Sequence, residues 1–98
     1  MRKITKESID HFMNDKPFSK SNMKVEVRPN VTVLLLHNNA IAYRYHDPER
    51  TLSITDAGWQ TNTTKERLNG IPGVNIQQKD WEWYLNGKKW NGDIIDIK

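Results

Sequence analysis

The sequence predicts an α+β domain: a mainly antiparallel sheet of about five to seven short strands, an N-terminal helix and a short second helix. Three observations carry this expectation. Apolar residues recur at helical spacing near the N-terminus, period-two alternation dominates from Met23 onward, and turn pairs such as Asn86-Gly87 join neighbouring segments too closely for parallel crossovers. At 98 residues and 36% hydrophobic content, one domain spanning 1–98 is expected, with no linker or low-complexity stretch to divide it.

Ile4 to Asn14 reads as a helix because Ile9, Phe12 and Met13 share a face, with Thr5 as N-cap and Ile4 and Ile9 as a hydrophobic staple. Pro17 disfavours helical geometry at Lys16, so the helix stops by about Asp15. Met23, Val25 and Val27 then alternate with Lys24, Glu26 and Arg28, the pattern of a half-buried strand, and Pro29-Asn30 turns the chain. Val31 to His37 is apolar on both faces and reads as the central strand. Asn38-Asn39 can supply the positive φ of a tight hairpin, after which Ala40 to His46 alternates with Ile41, Tyr43 and Tyr45 aligned. Asp47-Pro48-Glu49 leads into a short strand at Thr51 to Thr55, completing a meander of four strands after the helix.

Asp56-Ala57-Gly58-Trp59 breaks the alternation. Thr63-Thr64-Lys65-Glu66 has the spacing of a capping box for a helix of about two turns ending at Asn69-Gly70. Val74 to Gln78 and Trp81 to Leu85 follow as strands, the second with Trp81, Trp83 and Leu85 on one face and Glu82 and Tyr84 on the other. Asn86-Gly87 is a hairpin turn, Lys88 to Trp90 the return strand, and Asn91-Gly92 a further turn. Ile94, Ile95 and Ile97 make a last edge segment ending in charged Lys98.

Composition removes several function classes. With no cysteine, disulfides, thiolate catalysis and Cys-ligated metal centres are excluded. The longest apolar run, Val33 to Leu36, is far short of the roughly 20 residues of a membrane helix, and the N-terminus lacks the apolar stretch of a signal peptide. A soluble protein of a reducing cytoplasm, without a membrane partner, is the expectation. Lys and Arg number 15 against 12 Asp and Glu, a net +3 that is compatible with nucleic acid without requiring it. His11, His37 and His46 lie at no metal-ligand spacing, and His46 and Asp47 are neighbours whose side chains leave a strand on opposite faces. Gly58, Gly70 and Gly73 form no phosphate-binding loop, and no GxSxG elbow occurs. Asp93 and Asp96 read as solvated edge charges in preference to an acid–base pair. The chain is therefore expected to be no enzyme, with no catalytic residues, cofactor or metal.

Aromatic residues supply the remaining signal. Trp59, Trp81, Trp83, Tyr84 and Trp90 are concentrated in the second half among Lys65, Arg67, Lys79, Lys88 and Lys89. Trp81 and Trp83 have strand spacing and are expected in the core, whereas Trp59 stands in a loop before a helix and either caps the core or anchors a partner. Lys65 and Arg67 could meet phosphates beside Thr61 to Thr64, although capping already explains the threonine run. The candidate partner surface is Trp59, Lys65, Arg67, Lys79, Lys88, Lys89 and Trp90.

Ala57-Gly58-Trp59, the run Asn62 to Val74, Gln78-Lys79 and Trp83-Tyr84-Leu85-Asn86-Gly87-Lys88, together with Phe12, Phe18, Asn22 and Val25, resemble a group of small uncharacterised accessory proteins of tailed bacteriophages and mobile elements. The resemblance covers nearly the whole chain and implies a phage accessory gene expressed in a bacterial cytoplasm; it carries no mechanism. Two function classes follow. One is a binder of a host protein or protein–nucleic acid complex that inhibits host defence or nucleic-acid machinery, in the manner of anti-CRISPR proteins. It needs an exposed aromatic patch or free sheet edge with a rim of both charge signs. The other is a direct DNA- or RNA-binding module, which needs the basic residues to converge beside an exposed tryptophan. Acids such as Glu66, Asp80, Glu82 and Asp93 among the bases tip the reading toward a protein target.

Overall fold

A computed structural model of the chain describes residues 1–97. Helix α1 (Lys3–Met13) leads into β1 (Phe18–Lys20), β2 (Met23–Val27), β3 (Val31–Leu36), β4 (Asn39–Tyr45) and β5 (Leu52–Ile54). Helix α2 (Asn62–Leu68) follows, then β6 (Ile76–Lys79), β7 (Glu82–Leu85), β8 (Lys88–Lys89) and β9 (Ile95–Ile97). Six strands form one sheet in the order β1-β2-β3-β4-β5-β9 and three form a second, β6-β7-β8, with every pairing antiparallel. This is the α+β architecture predicted from the sequence. Among the described residues nine strands exceed the five to seven expected; the one not foreseen is β1, three residues too short for alternation to reveal, whereas β8 is the return strand expected at Lys88 to Trp90, shortened to two residues.

Helix α1 packs on β2 and β3 through Ile9 and Phe12, with Ile4 and Met13 partly buried at its flanks. The expected cap is wrong: Arg2 is the N-cap and makes no side-chain cap bond, while Thr5 lies buried inside the helix with its hydroxyl given to Glu66. A tertiary partner has claimed the side chain that local spacing assigned to capping. The helix stops where Pro17 requires, with Asp15 in the left-handed region at φ 55 and the Lys16 amide donating to His11 O at 2.9 Å.

The meander places Met23, Val25, Leu34, Leu36, Ala42 and Ile54 on the α1 side of the sheet. Val33, Leu35 and Tyr43 face the other way, and because Val33 and Leu35 are also buried, β3 is covered on both faces as expected. Leu34 pairs with Ala42 but Leu35 with Ala40, so Ile41 is an extra residue in a bulge. The bulge buries Ile41 and its neighbour Ala42 together and takes Ile41 out of line with Tyr43 and Tyr45, against the simple alternation expected. The hairpin turn is also displaced by one residue: His37 (φ 50) and Asn38 (φ 65) occupy it, and Asn39 already pairs with Leu36. Val27, expected on the buried side, is 40% exposed at the end of β2.

In the second half Thr61, not Thr63, caps α2, accepting the Thr64 amide at 3.1 Å. The regular strand begins at Ile76 instead of Val74. Trp83 and Leu85 are buried as expected, but Trp81 is 90% exposed. Lys79 pairs with Glu82, leaving Asp80 (φ 52) and Trp81 (φ 70) as the two residues of a tight hairpin turn, so Trp81 precedes the strand and does not share its inner face. Ile76, Trp83, Leu85 and Trp90 join the same apolar cluster as Phe12 and Leu34, so both sheets close on one core. Strand β9 forms the edge expected of the terminal isoleucines, beside β5; Lys98 lies outside the described residues.

Candidate functional site

The loop between β5 and α2 is tied down by polar contacts that hold Trp59 away from the core. The Asp56 amide donates to Gly92 O at 3.0 Å, Thr55 Oγ1 donates to Gly92 O at 2.9 Å, and Asp56 Oδ1 accepts the Gly58 amide at 2.7 Å. Ala57 (φ 55) and Gly58 (φ 88) complete the turn, and the Trp59 amide closes it on Asp56 O at 2.9 Å. The backbone is fixed while the indole is 60% exposed. Trp59 borders a cavity of about 350 Å³ whose apolar wall includes Leu36, Ile41 and Ala57. His37 and Asn39 of the β3–β4 hairpin line one part of it and Thr63 and Thr64 of α2 with its cap Thr61 another, and Asp56 is also at the lining.

Two of the expected contact residues are interior. Arg67 is 2% exposed: its Nη1 donates to Thr5 Oγ1 at 3.0 Å and to Glu66 Oε1, and its Nη2 donates to Asn22 Oδ1 at 3.3 Å. Arg67 stands beside Leu68 on the buried side of α2, where Thr5 of α1, Glu66 of α2 and Asn22 between β1 and β2 are its partners. Burial pushes the Glu66 carboxyl up, but hydrogen bonds from Thr5 and Arg67 and the Arg67 charge outweigh this and hold it below its ordinary range. Trp90 is 7% exposed, its ring centroid 6.2 Å from that of Trp83 and its Nε1 donating to Asp93 O at 2.8 Å. Neither side chain is available to a partner without unpacking the core.

The lysines divide among surfaces. Lys65 Nζ donates to Gln78 Oε1 at 3.1 Å and Asn69 bonds both backbone groups of Ile76, tying α2 and its C-cap to β6. Lys79 and Lys89 register opposite Glu82 and Tyr84, on the outer face of the small sheet, where Lys89 Nζ lies 2.7 Å from Glu82 Oε1. Lys88 registers opposite Leu85 and is exposed at the sheet margin. The seven residues therefore do not form one basic and aromatic surface.

Trp81 is the aromatic that sequence spacing misplaced. It stands at the β6–β7 turn, between Asp80 and Glu82, with its side chain in solvent. The available signal was Asp80, a turn-favouring residue standing directly before Trp81.

The histidines do different things. His11 Nδ1 donates to Glu7 O at 2.8 Å and its ring packs on Phe18. His37 is a turn residue at the cavity. His46 lies 2.7 Å from Thr32 Oγ1 and 3.4 Å from Asp15 Oδ1, and Asp15 also pairs with Arg44 at 2.8 Å and Arg50 at 3.4 Å. Burial raises the Asp15 carboxyl, and the Thr32 hydrogen bond and the surrounding cations more than reverse it, so it is lowered. Among the described residues no group of three or more His, Asp or Glu is placed to hold a metal ion, and no helix is long and apolar enough to cross a membrane.

No curated protein and no solved structure matches the chain. A family model does, over residues 1–95, and it describes the Kyanoviridae Gp96 protein. The expected phage origin stands on that match, which says nothing of mobile elements or of an accessory role. With 95 of 98 residues covered, the chain belongs to the Kyanoviridae Gp96 protein family and is a small phage-encoded protein.

Proposed function

We propose that this phage protein acts without catalysis, by docking onto a protein or protein–nucleic acid complex of its bacterial host and inhibiting host defence or nucleic-acid machinery. The observation that carries the reading is Trp59: a 60% exposed indole on a hydrogen-bonded loop beside a largely apolar cavity. A large aromatic on a fixed backbone spares the loop's ordering cost on binding, and tryptophan is among the residue types most enriched in interface hot spots. Trp81, 90% exposed at the β6–β7 turn, is a second exposed tryptophan. The mixed charge of the small sheet, Lys79, Lys89 and Glu82, suits the polar rim of a protein interface. Direct nucleic-acid binding draws less support, since Arg67 and Trp90 are buried and Lys89 is paired with an acid.

The test is capture of host proteins by the tagged phage protein, with and without nuclease, beside a Trp59→Ala variant that melts normally. A partner retained after nuclease and lost with Trp59→Ala is the expected result. Loss on nuclease treatment moves the reading to nucleic acid, and undiminished capture by the variant removes Trp59 from the interface.

A further inference from the structure

We infer that the cavity beside Trp59 receives a basic side chain, arginine or lysine, of the protein partner. The inference rests on the reading of the Trp59 face as the docking face and adds the chemistry of what enters it. Asp56 is 7% exposed, lines this cavity, and has no lysine, arginine or histidine within salt-bridge distance among the described residues. The contrast with the other buried-side carboxylates is direct: Asp15 is paired with Arg44 and Arg50, and Glu66 with Arg67. A largely covered carboxylate gains from a nearby cation, and among the described residues the Asp56 carboxylate has only the Gly58 amide, on Oδ1, as a hydrogen-bond partner.

The carboxylate is also fixed in place. Asp56 Oδ2 lies so close to Gly92 that a Cβ there would fall 1.8 Å from it, and the Asp56 backbone amide is bonded to Gly92 O. A side chain entering from outside meets three things in one cavity: the Trp59 indole, the aliphatic wall of Leu36 and Ile41, and the Asp56 anion. That combination matches a basic side chain, whose methylene stem packs on apolar surface while its cationic head takes both the indole face and the carboxylate. An acidic side chain would meet a like charge, and a purely apolar one would cover Asp56 without compensating it. The cavity, at about 350 Å³, is at the lower end of the range for small-molecule sites and has room for one such side chain.

The probes are blocked arginine, lysine and norleucine (N-acetyl, C-amide), titrated into the intact protein while the Trp59 indole and Gly58 amide signals are followed by NMR. They need no host partner, so failure here is separate from failure of the docking reading. Saturable shifts of both signals with the two basic probes, and none with norleucine, are expected. Asp56→Asn keeps an Oδ1 acceptor for Gly58 and should weaken the basic probes by roughly tenfold or more. Trp59→Leu keeps an apolar wall without an indole and should weaken them also, read at Gly58, which holds the test open should Asp56→Asn not fold. Norleucine binding as tightly as arginine, no saturable shift from either basic probe, or unchanged affinity in a folded Asp56→Asn or in Trp59→Leu overturns the inference.

Discussion

Arg67 Nη1 donates to Thr5 Oγ1 at 3.0 Å, joining α2 to α1 across 62 positions of sequence inside the protein. The same hydroxyl donates to Glu66 Oε1 at 2.5 Å, so one threonine sits between both members of an ion pair. Gly70 makes room for this approach, since a Cβ there would lie 2.7 Å from Thr5 Cγ2. Arg67→Ala would leave the Glu66 carboxylate with the Thr5 hydroxyl but without its cation, and a loss of about 3–5 kcal/mol in urea unfolding is expected. Loss below about 1 kcal/mol would show that the network contributes little to holding the helices together.

Acid should weaken this network and the separate cluster in which Asp15 meets Arg44 and Arg50. Glu66 and Asp15 both have carboxyls lowered in the folded protein, so the unfolded chain takes up their protons first. Stability from these groups is present above the ordinary carboxylate values of about 4 and is lost as pH falls through the lower folded values. Melting temperature should therefore drop in acid, and Asp15→Asn and Glu66→Gln should each flatten the drop while lowering stability near neutral pH. An unchanged acid slope in both variants would refute the assignment.

Much of the fold was legible because burial follows local period: Ile9 and Phe12 on α1, Met23 and Val25 on β2, and the two-sided strand β3 are where spacing puts them. Asn86 (φ 50) and Gly87 (φ 88) make the hairpin that their dipeptide announces. Trp81, Ile41 and the His37-Asn38 turn departed from expectation through local turn and bulge geometry, whereas at Thr5 and Arg67 a side chain serves a distant partner instead of its neighbours. Thr5 is spent on Glu66, and Arg67, which local reading leaves solvated on a short helix, is held by Thr5 and Asn22. Trp59's exposure was one of the two readings its loop position allowed; the carboxylate beside its cavity was not foreseen, because Asp56 comes to that place through Gly92, far along the chain.

Trp81 offers a stabilising substitution. A bulky side chain at φ 70 is strained by about 1–2 kcal/mol, and 90% exposure means that little burial is lost on removing it. Trp81→Gly, which creates the Asp-Gly turn preferred in tight hairpins, should raise stability by about 1 kcal/mol in urea unfolding, whereas Trp83→Ala should cost about 3–5 kcal/mol. If Trp81→Gly also weakens host-partner capture, the strain is retained for binding; a destabilised Trp81→Gly would mean that the indole packs in solution.

Gly92 and Gly58 separate steric from conformational effects at the Trp59 loop. Both have positive φ, +94 at Gly92 and +88 at Gly58, so alanine at either meets the same backbone penalty of about 1 kcal/mol or somewhat more. Their surroundings differ, since a Cβ at Gly58 meets nothing within 4 Å while one at Gly92 would overlap the Asp56 carboxylate. Gly58→Ala should therefore show the backbone penalty alone. Gly92→Ala should lose more stability, and the displaced Asp56 should release the Gly58 and Trp59 amides that it anchors, read as faster hydrogen exchange at both positions. Equal effects of the two variants on unfolding and on exchange would show that Asp56 does not hold the loop, and the fixed placement of Trp59 would need another cause.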